Sequence, residues 1–151
     1  MKGADLARFP LLAALADAER EALARVLESL EFEAGARLFD AGDPADGLLL
    51  VADGRIALSS EAHAARGEFG PGETFGAISL VSEGRRAARA ETLSRSRVLR
   101  LGRDAFRRFS DAQPRAACRV LEALLREQSR ITHEAAARMS AAPVDRPAAG
   151  D

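Results

Sequence analysis

The residues of this chain whose types and spacing suit a definite chemistry are Gly70-Pro71-Gly72-Glu73-Thr74-Phe75-Gly76-Ala77-Ile78-Ser79-Leu80, followed six residues later by Arg86-Ala87-Ala88. Glycines let a backbone pass close to a ligand. A short helical turn starting near Gly76 points unpaired N–H groups outward, and such a terminus favours an anion. An arginine reaching the same point from the next strand adds a charged, bidentate donor, and the small Ala87 and Ala88 leave room beside it. Amides, a helix dipole and one arginine together make a phosphate pocket. Arg86 has a blander reading as a surface arginine beside Arg85 and Arg89. Ser79 is either a hydroxyl bonded to its own turn or a ligand contact. Glu73 reads as a turn carboxylate.

The usual catalytic constellations are missing from the sequence. His63, in a hairpin loop, and His133, on the terminal helix, are far apart in the chain and support no histidine metal triad. A cupin barrel needs clustered His and Glu on adjacent strands. Cys118 has no histidine near it in sequence and is expected to be buried in a helix. Ser82-Glu83-Gly84 is no nucleophile elbow, and no glycine-rich loop carries the lysine of a nucleotide triphosphatase. These features point away from an enzyme, leaving only a cryptic type as a third option.

Composition narrows the class further. With 151 residues the chain fits one domain, and a net charge of −1 argues against coating nucleic acid through a basic surface. Of 22 basic residues only Lys2 is lysine, so arginine abundance by itself says little. One cysteine excludes an internal disulfide framework and fits a reducing compartment. Asp5 and Arg8 interrupt the N-terminal apolar residues, and no window reaches a membrane span. A cytoplasmic protein without targeting segment or membrane partner is expected.

Several elements must position the candidate pocket. Residues 1–30 carry helical periodicity, with Pro10 separating a leading helix from a second one capped by Asp17 and running through Leu23, Val26, Leu27 and Leu30. From residue 31 to 102, short apolar runs alternate with glycines: Arg37-Leu38-Phe39, Leu48-Leu49-Leu50-Val51, Arg55-Ile56-Ala57-Leu58, Ala88 to Thr92 and Val98 to Leu101. That spacing predicts a β sandwich or barrel, with Gly42, Gly47, Gly54 and Gly72 as fold residues. Residues 103–139 read as helix broken near Pro114, and residues 140–151 as a disordered tail. On the long helix, Ala117, Leu121, Leu124, Gln128, Ile131 and Ala135 alternate at spacings of four and three. Val120 and Leu125 widen that stripe, which suits a helix docked on its own domain, a dimer seam, or both.

The chain resembles a cyclic nucleotide-binding domain, the module of catabolite-activator-type regulators, protein kinase A regulatory subunits and cyclic-nucleotide-gated channels. The resemblance rests on Gly42-Asp43-Pro44-Ala45-Asp46-Gly47-Leu48 through Gly54, on Gly72-Glu73-Thr74-Phe75-Gly76, on Arg86-Ala87-Ala88, and on Leu101-Gly102-Arg103-Asp104-Ala105-Phe106. It covers about residues 6–135. It implies a mainly β fold with flanking helices: a β roll of the double-stranded β-helix or jelly-roll type, with N-terminal helices and C-terminal helices B and C. It further implies a phosphate-binding cassette over residues 72–88, with Phe75, Gly76, Ala77, Ile78, Ser79, Arg86, Ala87 and Ala88 as ligand-binding residues. The ligand would be cAMP or another cyclic nucleotide, with no separate cofactor or metal.

One departure stands out. The family's ribose-binding glutamate, directly after the cassette glycine, is here Ala77. Losing a hydrogen bond to a charged group weakens binding about 10- to 150-fold. Arg89 departs too, at a position often Thr or Ser, and either adds charge to the pocket or points to solvent. After the long helix only a short tail follows, which is read as no DNA-binding helix-turn-helix and an output through an unknown protein effector or the chain's own dimer. Two functions follow: a stand-alone cyclic nucleotide sensor with weakened ribose recognition, or a degenerate relative that binds no nucleotide and serves as an interaction module.

Overall fold

A computed structural model describes residues 2–61 and 65–141. His63 and the tail from residue 142 onward lie outside the described residues. The chain opens with α1 (Gly3–Leu6), a first 3-10 turn (Pro10–Leu12) and α2 (Asp17–Ala24). Ten strands follow: β1 (Glu28–Phe32), β2 (Arg37–Phe39), β3 (Pro44–Ala45), β4 (Gly47–Asp53), β5 (Ile56–Ser60), β6 (Ala65–Phe69), β7 (Thr74–Phe75), β8 (Gly84–Arg85), β9 (Arg89–Thr92) and β10 (Ser96–Gly102). A second 3-10 turn, Ala77–Leu80, separates β7 from β8. Two helices close the fold, α3 (Arg103–Ala112) and α4 (Pro114–Ala141).

The strands form two antiparallel four-stranded sheets, ordered β1-β10-β4-β7 and β2-β9-β5-β6, with β3 and β8 as a small ribbon at one end. Register explains why Leu48 to Ala52 is apolar without alternation. Val51 pairs Val98 while Leu50 pairs Leu99, and successive side chains point to opposite faces. Leu49, Val51 and Val98 enter a core shared with Ile56 and Ala90 of the facing sheet. Leu48, Leu50, Ala52, Leu99 and Leu101 pack instead with Leu6, Leu12, Leu23, Phe106, Phe109 and Val120 of the helical segments. The first sheet is therefore covered on both faces, by the second sheet and by a helical layer, and its central strand has no polar side to show. This is the expected β roll with flanking helices.

Two local expectations at the N-terminus are corrected. Ala16, not Asp17, occupies the cap position of α2; its N–H donates to Glu19 Oε1 at 2.8 Å, while Asp17 pairs with Arg20. The helical periodicity carried through Leu30, yet α2 ends at Ala24 and Leu30 sits in β1 opposite Val98. Leu30 reaches the core equally well as an inward strand residue, so its spacing could not distinguish the two.

The C-terminal helices pack from their beginnings. Ala116, Ala117, Val120 and Leu124 of α4 are buried, and Arg119 forms an ion pair with Glu19 of α2. Leu125 does not join them; it is 69% exposed. Cys118, expected inside, is exposed as well, because it lies on the opposite side of α4 from its buried neighbours Ala117 and Val120. The helix runs to Ala141, two residues beyond the expected end. No helix among the described residues is long and apolar enough to cross a membrane.

Candidate functional site

The site is built where β7 ends. Gly76 has φ +83°, a left-handed conformation that turns the chain out of β7 and into the second 3-10 turn. A Cβ at this position would lie 2.6 Å from Arg86 Nη1 and 3.1 Å from Gly47 O. Glycine is thus required twice, for the angle and for the approach of the arginine. The first hydrogen bond of the turn runs from Ser79 N–H to Gly76 O at 3.1 Å. The N–H groups of Ala77 and Ile78 come before it and have no partner within the turn.

Arg86 reaches the glycine from the far side of the β3–β8 ribbon, where its main chain is pinned on both edges. Its N–H donates to Asp43 O at 2.7 Å and its carbonyl accepts from Gly42 N–H at 2.8 Å. The side chain is buried, at 8% exposure. Nη2 donates to Gly47 O at 3.1 Å and to Asp46 Oδ1 at 3.4 Å, and the guanidinium carbon lies 4.6 Å from the Phe39 ring centroid. Burial lowers the Arg86 pKa below the ordinary arginine value, and the Asp46 carboxylate opposes that shift. Asp46 is shared: Arg100 Nη1 donates to its Oδ2 at 2.6 Å, and Arg100 Nε donates to Glu28 Oε2 at 2.9 Å. The result is a chain of alternating charge at the end of the roll.

Beside this chain lies a cavity of about 380 Å³ between the sheets. Leu30, Phe32, Leu38, Phe39, Leu49 and Val98 give it apolar walls, and Arg86, Arg100, Asp43 and Asp46 give it polar ones. Phe75, 7% exposed, stacks obliquely with Phe39 and Phe69 at centroid distances of 6.2 and 5.2 Å. Mostly apolar walls with a few convergent polar groups are the usual make-up of a small-molecule site.

The structure brings Gly76 and Arg86 together, with Phe75 beneath and Ala87 and Ala88 directly after the arginine. Ser79 is buried, and Ala77 packs toward the helical core. Ile78 is 63% exposed. Glu73 is the turn carboxylate its position suggested, accepting Gly70 N–H at 3.1 Å. Arg89 pairs with Glu91 on the surface at 3.3 Å, and Arg85 donates to Gly42 O at 2.8 Å. Two residues of the site, Asp46 and Arg103, lie in the stretches that carry the family resemblance but have no role assigned by it. Asp46 meets Arg86 from forty positions away, and Arg103 donates to Ser79 O in the 3-10 turn and to Ser82 O beyond it. No cluster of three or more metal-ligating side chains occurs among the described residues.

The fold is thus a β roll that sets a glycine turn against a buried arginine. Comparison with known proteins specifies the family. A profile described as the cyclic nucleotide-binding domain matches residues 29–113. The chain is 27% identical over 135 residues to a CRP-like cAMP-activated global transcriptional regulator of Mycobacterium tuberculosis, covering 87% of this chain and 60% of that protein. It is 32% identical over 110 residues to a cAMP-dependent protein kinase regulatory subunit of Emericella nidulans, covering 72% of this chain and 27% of the relative. The N-terminal domain of a transcriptional regulator from Streptomyces coelicolor A3(2) superposes with a TM-score of 0.72 at 30% identity, covering 87% of this chain and 94% of that domain. This chain belongs to the cyclic nucleotide-binding domain family. It spans less than two thirds of the length of the two full-length relatives.

Proposed function

We propose that the chain is a regulatory module whose ligand is cAMP or a related cyclic nucleotide. The cyclic phosphate lies against Arg86 and the main-chain N–H groups of Ala77 and Ile78. The observation that carries this reading is the contact between Arg86 and Gly76, a buried guanidinium beside a turn whose first amides have no partner in the turn. Phosphate oxygens, like a carboxylate, accept a forked pair of N–H bonds from arginine. Ala77 offers the ribose no carboxylate, so affinity is about 10- to 150-fold below that of the same pocket with glutamate there. Titration calorimetry with cAMP and cGMP on the wild type, Arg86→Ala and Ala77→Glu tests this. Heat with the wild type, loss with Arg86→Ala and a gain with Ala77→Glu support it.

A second reading has an observation of its own. Arg86 is satisfied internally by Gly47 O, Asp46 and the Phe39 ring, as it would be in a degenerate domain that binds no nucleotide and serves as an interaction module. Silence of the wild type and of Ala77→Glu at millimolar ligand favours that reading. In either case we assign the output to a protein effector or to a homodimer through α4, where Leu125 is exposed.

A further inference from the structure

Arg86 has a second neighbour besides the Gly76 turn. The cavity of about 380 Å³ that it lines is walled by residues of β1, β2, β3, β4 and β10 and of the segments around β3. None of its walls comes from residues 76–80, from Ala87 or from Ala88. Arg86 and Phe39 form the partition. Nη1 is the guanidinium nitrogen nearest Gly76, whereas Nη2 is bonded to Gly47 O and Asp46. The group lies over the Phe39 ring, which in turn meets Phe75. The cavity therefore backs onto the candidate phosphate site without sharing its amides.

This end of the roll is incompletely packed. Leu30, Phe32, Leu38 and Phe39 line the cavity and are only partly buried, whereas Leu49 and Val98 at its floor are buried. β1 and β2 are the outer strands of their sheets, so the space lies where the two sheets part at an edge. Its volume equals roughly a dozen water volumes. Facing sheets stand about 10 Å apart, and a helix with its side chains is about 10–12 Å wide. A helix does not fit between them; a small molecule does.

The polar groups select its charge. Each arginine facing the space already has an acid: Arg86 and Arg100 share Asp46, and Arg100 also holds Glu28. From this side an incoming anion reaches them only by displacing Asp46, and an incoming ammonium meets two guanidinium groups; either leaves a charge unpaired. An uncharged molecule disturbs none of these pairs. Carboxylates accept hydrogen bonds but donate none, and Asp43 and Asp46 stand exposed at the rim. The group that meets them is therefore a neutral donor such as a hydroxyl.

We propose that this cavity is a second ligand site, separate from the Gly76 turn, for a small uncharged molecule with a mainly apolar body and one hydroxyl or similar donor. It stands whether or not the turn holds a nucleotide.

The probe is 2-naphthol, which has that make-up, with 2-naphthoate as the charged counterpart on the same ring. The chain contains no Trp or Tyr, so naphthol fluorescence is read without emission from either. Titration of the full wild-type chain is expected to saturate at submillimolar 2-naphthol, with 2-naphthoate at least about tenfold weaker. In 13C-methyl spectra 2-naphthol moves Leu38, Leu49 and Val98. It leaves in place Leu50 and Leu99, which neighbour Leu49 and Val98 but belong to the helical core. Leu38→Trp puts an indole into the space from a partly buried position, and Leu49 and Val98 then no longer respond. Absence of saturation in the wild type, shifts at Ala77 and Ala87 in place of Leu49 and Val98, or an unaltered response in a folded Leu38→Trp overturns the site. Naphthoate binding as tightly as naphthol overturns its uncharged class. If Leu38→Trp does not fold, the wild-type shifts decide. Silence with cAMP in a chain that binds 2-naphthol contradicts the nucleotide reading alone, and the converse removes only this second site.

Discussion

At 8% exposure, Arg86 has exchanged most of its water for a carbonyl, a carboxylate and a ring face. Burial opposes its charge and Asp46 offsets part of that effect, and the guanidinium is held in one place by its carbonyl, carboxylate and ring contacts. Replacing it with alanine removes hydrogen bonds to a charged group. The expected loss in cyclic nucleotide affinity is at least about 10- to 150-fold by calorimetry. Lysine at the same place keeps the charge but not the fork, and recovers only part. Gly76→Ala is expected to cost about 1–2 kcal/mol in chemical denaturation, from the left-handed angle alone, and to displace Arg86 Nη1, which leaves no room for a methyl. A Gly76→Ala protein of unaltered stability would contradict the assigned geometry. At this scale the sequence was informative where the contact is local. The interval from Gly76 to Arg86 belongs to one excursion of the chain, and its spacing pointed to the pair. Asp46 and Arg103 contribute through contacts that exist only once β3, the 3-10 turn and α3 meet, and no local pattern announces them.

Among the elements, α4 shows how an ordinary helix is anchored at one end only. Its 28 residues extend about 42 Å. The first half is held by Ala116, Ala117, Val120 and Leu124 and by Arg119 against Glu19. Farther along, Arg130 donates to Glu127 at 2.6 Å and to Glu134 at 2.7 Å, pairs one turn apart on an exposed face. The heptad spacing therefore read the inward face correctly as far as Leu124. Its weakness was Leu125, since a stripe broad enough to include that residue is wider than the face the sheet can cover. The contact to α2 is pH-dependent. The N–H of Ala16, together with Arg119, holds the Glu19 carboxyl below its usual pKa. A carboxyl depressed in the folded state stabilises the protein above the unfolded value, about 4.3 for glutamate, and loses that contribution as pH falls through the folded value. Urea midpoints measured from pH 6 down to pH 3 should fall less steeply for Glu19→Gln than for the wild type. Parallel slopes would count against the contact.

The whole molecule is three layers deep, with the first sheet between the second sheet and the helices. Leu50, 1% exposed, lies in the helical core, and Leu50→Ala is expected to cost about 2–5 kcal/mol of folding stability. The layering was legible in outline: glycine-punctuated runs implied sheets, and the unalternating Leu48 to Ala52 run fits a strand covered on both faces. The start of β1 was not legible, because Leu30 serves a helical and a strand pattern alike. Assembly is tested through Leu125, which is 69% exposed. If the output runs through a homodimer, sedimentation velocity finds a dimer in the wild type and a monomer in Leu125→Arg; identical behaviour of the two argues against a seam on α4. All of these features bear on one central claim, that the site formed by Arg86 and the amides that follow Gly76 receives a cyclic nucleotide. Its most direct test is calorimetric titration of the full chain with cAMP, with Ala77→Glu alongside. The account predicts saturable heat from the wild type and tighter binding, by about 10- to 150-fold, from Ala77→Glu. No heat from either protein at millimolar cAMP would contradict it.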